Sequence, residues 1–125
     1  MSLETIRLSQ EAKDKLVWLK RWTGLKQWNV LCRWALCLSL AEPSRPAAAK
    51  IPADSSVEMT WRVFAGEYRD VYLAMLRERC KADGLEPTDD ELAVQFRLHL
   101  HRGIAYLAGN KIRSIADLLR LTATA

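Results

Sequence analysis

The sequence predicts a mainly α-helical fold, in which one short N-terminal strand is followed by about five helices. Three observations carry this. Apolar residues recur at three- and four-residue spacings through most of the chain, as one face of a helix requires. Capping residues and glycines punctuate those runs at helix-like lengths. Thr5-Ile6-Arg7-Leu8-Ser9 alone alternates polar and apolar residues with the two-residue period of a strand.

A strand that short does not stand alone, so it requires a partner from the same chain or from a second copy. Ser9 is a good N-cap, and Glu11 suits the first turn of the helix it opens. Ala12, Leu16, Leu19 and Thr23 form the buried stripe of that helix, and Gly24 ends it as a residue free to take positive φ. The second helix spans about Trp28 to Glu42. Leu31, Ala35 and Leu38 form one apolar stripe, with Val30, Trp34, Cys37 and Ala41 beside it. A helix apolar nearly all round must be covered on several sides. The simplest cover in a small chain is a second copy, so Leu31, Trp34 and Leu38 are the expected oligomer interface of a dimer or tetramer.

Residues 43–59, with Pro43, Pro46 and Pro52, read as linker-like within a single domain 1–125. They divide a basic strand-helix-helix part, 1–42, from a helical part, 60–125. The latter holds an amphipathic helix near Gly66 to Asp83, with Tyr68, Val71, Tyr72, Met75 and Leu76 as its apolar side and Gly84 as its stop. Thr88-Asp89-Asp90-Glu91 is a capping box for the next helix, which carries Leu92, Phe96, Leu100 and Ile104. Ser114 caps a last short helix through Leu121.

Half of the 125 residues are hydrophobic and 27% are charged, a globular composition. No secretory leader and no membrane span are expected, which points to a cytoplasmic protein. Cys32, Cys37 and Cys80 are odd in number and lack CxxC spacing, as reduced structural thiols do. His99 and His101 have no zinc-like partners, and the chain lacks phosphate-loop, nucleophile-elbow and HExxH motifs. No catalytic residue, metal or cofactor is therefore expected. The net charge of +4 resides entirely in residues 1–46, while 47–125 balance. That asymmetry suits an anionic partner. Lys13, Lys15, Lys20, Arg21 and Lys26 are the candidate phosphate contacts, and Arg7 is the candidate base reader.

Strand, helix, Thr23-Gly24 turn and a second helix opening at Trp28-Asn29 resemble the core of ribbon-helix-helix DNA-binding proteins. That resemblance implies paired strands from two copies, with Thr5, Arg7 and Ser9 on the outer ribbon face. It also implies Lys26, Gln27 and Trp28 near phosphate, at a helix start suited to anions. A more specific resemblance rests on Arg7-Leu8-Ser9, Trp28-Asn29-Val30-Leu31-Cys32-Arg33, Ser39-Leu40-Ala41-Glu42-Pro43, Gly66-Glu67-Tyr68 and Gln95 through Gly103. Across nearly its whole length the chain resembles the DndE family of DNA sulfur modification proteins. The resemblance implies a non-catalytic, oligomeric subunit of the DNA phosphorothioation complex that binds double-stranded, preferentially nicked, DNA. Its implied companions are a cysteine desulfurase, an ATP pyrophosphatase-like iron–sulfur protein and an ATPase. A protein–protein scaffold within the same complex is the alternative, in which Trp18, Trp22 and Trp28 serve a companion subunit. A sequence-specific repressor is a third reading.

Overall fold

The computed structural model describes residues 5–110 and 112–123. Strand β1 (Thr5–Arg7) finds its partner in the same chain, pairing antiparallel with β2 (Glu58–Thr60) in the register Thr5 to Thr60, Ile6 to Met59 and Arg7 to Glu58. The pairing continues past the strands, since Leu8 N donates to Val57 O at 3.0 Å and Ser55 N donates to Leu8 O at 3.2 Å. Backbone groups alternate sides along a strand, so Arg7 O points away from β2. There it accepts a hydrogen bond from the guanidinium of Arg97. Both edges of β1 are thus engaged within one chain. The ribbon shared between two copies, implied by the ribbon-helix-helix resemblance, is replaced by this intrachain pair.

Ser9 is extended, with φ −71° and ψ 158°, and its Oγ accepts from Ala12 N at 3.1 Å. The cap opens α1 (Gln10–Thr23), which buries Ala12, Leu16, Leu19 and Thr23, the expected stripe. Gly24 closes it at φ 76°, its N–H reaching Lys20 O. Helix α2 (Trp28–Ala41) follows. Next comes a short α3 (Trp61–Ala65), capped by Thr60, which was not among the expected helices, and then one tighter helical turn over Gly66–Tyr68. Helices α4 (Arg69–Ala82), α5 (Asp89–Gly109) and α6 (Ile115–Ala123) complete the chain.

The long α5 is the centre of the packing. Leu92, Phe96, Leu100, Ile104 and Leu107 are wholly or almost wholly buried, together with Leu31, Cys32, Ala35 and Leu36 of α2 and Leu16 and Leu19 of α1. Helices α2 and α5 cross so closely at Gly103 that a Cβ there would lie 1.8 Å from Ala35 O. Trp61 and Phe64 of α3 join the core through Phe96, with ring centroids 5.0–5.4 Å apart, the spacing of favourable aromatic pairs.

Two details depart from expectation. On α4 the fully buried positions are Leu76 and Cys80, whereas Val71 is 55% exposed and Tyr68, which ends the turn before the helix, is 60% exposed. At the start of α5, Thr88 Oγ1 accepts from Glu91 N at 3.1 Å, but Thr88 N donates to Glu86 O, so the capping box forms one half only. Among the described residues no helix is long and apolar enough to cross a membrane.

The prolyl segment 43–57 is strapped to the helices by arginines. Arg79 of α4 donates to Leu40 O, Pro43 O and Ser44 O, and Arg102 of α5 donates to Ser39 O and Ser44 O. Arg97 holds Ile51 O and Pro52 O. Two cationic side chains therefore satisfy the carbonyls at the C-terminus of α2, the negative end of its dipole.

Candidate nucleic-acid interface

Helix geometry separates the basic residues proposed from the sequence. At 100° per residue around the buried stripe of α1, Lys13 and Lys20 lie on one flank, Arg21 points outward, and Lys15 lies on the opposite flank. Lys13 Nζ donates to Ser56 Oγ at 2.7 Å, which ties it to the β2 side. Lys15 pairs with Glu11 at 2.9 Å. Arg7 is engaged as well: its guanidinium donates to Ser55 O at 2.9 Å and pairs with Glu58 across the strands. Ser9, expected on the outer ribbon face with Thr5 and Arg7, is instead buried as the cap of α1.

Lys20, Arg21 and Lys26 are brought together around the α1–α2 turn. Arg21 and Lys26 are exposed and form no hydrogen bond or ion pair among the described residues. The Lys20 ammonium sits 3.8 Å from the Trp28 ring centroid, a cation–π contact that holds it beside the start of α2. Thr23 Oγ1 accepts from Leu25 N at 3.2 Å, and with Gly24 it fixes the turn. Helix α2 begins at Gln27 without a side-chain cap and without an acidic residue in its first turn. Its first N–H groups thus present positive partial charge next to three cations. No Asp or Glu occurs anywhere between Asp14 and Glu42. This stretch of chain carries no carboxylate of its own, which suits phosphate oxygens.

A second group borders it. Trp18 and Trp22 of α1 lie 6.1 Å apart, and the guanidinium carbon of Arg113 sits 4.9 Å from each ring. Arg113 was missed in the sequence because it lies some ninety positions away in the charge-balanced part, and no local motif links it to the tryptophans.

Ser39 and the two histidines of α5 are tied into the fold by hydrogen bonds. Arg102 Nε donates to Ser39 Oγ at 2.8 Å, and Ser39 Oγ lies 2.8 Å from His99 Nδ1. Ser39 Oγ thus links the Arg102 guanidinium to the imidazole, while His99 Nε2 is buried with no hydrogen-bond partner among the described residues. Burial, then the Arg79 and Arg102 charges, push the His99 pKa down to about 4. His101 accepts from Ser9 N at 3.2 Å, and its Nδ1 lies 2.9 Å from Arg97 O, tying α5 to the β1–α1 junction. Burial pushes the Cys32 thiol up to about 12 and raises those of Cys37 and Cys80 as well, which suppresses thiolate chemistry. Among the described residues no three His, Cys, Asp or Glu side chains gather at metal-binding distance.

Of the expected interface residues, Leu31 is fully buried under the chain's own α5 and is closed to a second copy in this conformation. The cover that α2 demands comes largely from within the chain. Trp34 and Leu38 are half-buried, and Val30, Trp34, Cys37 and Tyr72 line an open groove of about 360 Å³ between α2 and α4.

Comparison with solved structures gives the same architecture. The crystal structure of DndE from Escherichia coli B7A, involved in DNA phosphorothioation modification, superimposes with a TM-score of 0.70 at 24% identity, covering 86% of this chain and 98% of that one. A double glycine-to-lysine mutant of DndE, also described as involved in DNA phosphorothioation, gives 0.64 at 23% identity, covering 85% and 97%. These likenesses establish the fold. No curated relative matches the chain. The sequence profile of the DNA sulphur modification protein DndE matches residues 5–114, from β1 to the cap of α6, and the chain belongs to the DndE family.

Proposed function

We propose that this chain is a non-catalytic subunit that holds DNA for the phosphorothioation machinery, gripping backbone phosphates at the α1–α2 turn. Family membership supports DNA as the object of the work. The observation that supports the grip is the carboxylate-free stretch of chain that brings Lys20, Arg21 and Lys26 to the uncapped start of α2. Phosphate contacts of this kind give affinity and register without reading sequence. Sulfur transfer and ATP hydrolysis then fall to the ATP pyrophosphatase-like and ATPase companions. Self-association would repeat the basic surface along the duplex, with Trp34 and Leu38 at the contact.

Labelled intact and nicked duplexes, titrated with protein over a series of salt concentrations, test this reading. Affinity is expected to fall steeply and linearly in log salt, with the nicked duplex bound more tightly. No measurable affinity even at low salt removes it. Equal affinity for the two duplexes removes the nick preference and leaves the phosphate grip.

The groove between α2 and α4 favours a second reading, a scaffold that docks a companion subunit there. A scaffold shows little DNA affinity at any salt concentration.

A further inference from the structure

The surface beside the phosphate grip has features that phosphate binding does not use. Trp22 is a large indole left 42% exposed on α1, backed by Trp18 and by Arg113, which contacts both rings. Arg21 is adjacent in sequence and exposed, while Lys20 lies on the opposite flank of α1, against Trp28. The nearest carboxylate on α6, Asp117, is already occupied by Arg120 and by Arg113 N. Aromatic rings beside cations form the chemistry that receives single-stranded nucleic acid, where bases stack on the rings and phosphates lie on the cations. Inside a continuous duplex a base offers only its edges in the grooves, so a ring on a protein surface reaches a base face where stacking is interrupted, most openly at an unpaired base.

We infer that Trp22, steadied by Trp18 and Arg113, is a stacking shelf for an unpaired DNA base, so that this subunit takes DNA with a locally opened strand. The inference rests on the proposed phosphate grip and adds a second, base-dependent contact to it. Charge decides the occupant, because exposed Arg21 borders the shelf and Arg113 backs it.

Fluorescence anisotropy with labelled oligothymidylate, an abasic strand of the same length and a blunt duplex tests this directly on the full chain. For the parent, oligothymidylate is expected to bind about tenfold more tightly than the abasic strand, the contribution of one stacked base. Trp22→Ala should remove that difference while leaving abasic and duplex binding within about twofold, and Trp22→Phe should restore most of it. Equal parent affinity for the oligothymidylate and abasic strands overturns the shelf without recourse to any variant. So does a Trp22→Ala loss shared equally by all three ligands, which marks Trp22 as structural or as a protein-docking residue. A parent that binds duplex but not single strand overturns the shelf and spares the phosphate grip. No binding to any of the three overturns both.

Discussion

Replacing Gly103 with alanine tests the packing that positions every surface described above. Within a helix interior the change alone favours folding by up to about 1 kcal/mol, through helix propensity. Here the new Cβ would stand 1.8 Å from Ala35 O, 2.3 Å from Ala35 C and 2.9 Å from Ala35 Cα, all backbone atoms of the facing helix. No rotamer relieves that contact. Helices α2 and α5 must separate by roughly 1.5 Å to restore ordinary van der Waals distance. Separation would loosen Leu31, Cys32 and Leu36 from Phe96, Leu100 and Ile104 at the centre of the core. Overpacking of this kind costs about 1–3 kcal/mol and outweighs the propensity gain. Urea unfolding followed by circular dichroism measures it, with Gly109→Ala as the control. Gly109 is the last residue of α5, and a Cβ there meets nothing within 4 Å, so that variant should be neutral or stabilised. Equal or greater stability for Gly103→Ala, with parallel behaviour of the two variants, would refute the close helix crossing.

Two further outcomes follow from buried and half-buried groups. The His99 pKa of about 4 lies below the ordinary histidine value of 6.5, so the neutral form stabilises the fold fully above pH 6.5 and that contribution is lost as pH falls towards 4. The loss is up to about 3 kcal/mol, and stability-versus-pH curves for the parent and His99→Gln should diverge over that window, whereas parallel curves contradict the buried neutral histidine. Light scattering should report a dimer or tetramer, and Trp34→Lys should reduce the mass with the helical spectrum unchanged. A monomeric parent removes the α2 face as a self-association surface.

Local signals made the N-terminal part legible. The Ser9 cap, the stripe from Ala12 to Thr23 and the Gly24 stop depend on neighbours a few residues apart, and all three are present in the fold. Long-range choices were not legible. Glu58-Met59-Thr60 is too short and too close to the prolines to stand out as a strand, yet it supplies the partner of β1. Helix α3 spans five residues, less than two turns, so it carries no periodic signal. The apolar surface of α2 was correctly read as needing cover, but sequence spacing does not say from where. Gly103 and Ala35 permit the approach that lets α5 provide it. The lysine cluster was visible as composition, while its division between two flanks of α1, and the capture of Lys13, Lys15 and Arg7 by other groups, required the fold.

The most direct test of the central claim is the salt dependence of duplex binding by the parent and by a Lys20→Gln, Arg21→Gln, Lys26→Gln variant. Arg21 and Lys26 are exposed and Lys20 gives up only its cation–π contact with Trp28, worth about 0.5–1 kcal/mol, so the variant should retain the parent's unfolding midpoint within a few degrees. If each neutralises one phosphate, the slope of log affinity against log salt should shrink by about 0.9 per residue removed, approaching three for a protomer. The account predicts that reduction together with weaker binding at every salt concentration and on every duplex sequence. An unchanged slope and unchanged affinity would contradict it and would place the DNA elsewhere on the molecule.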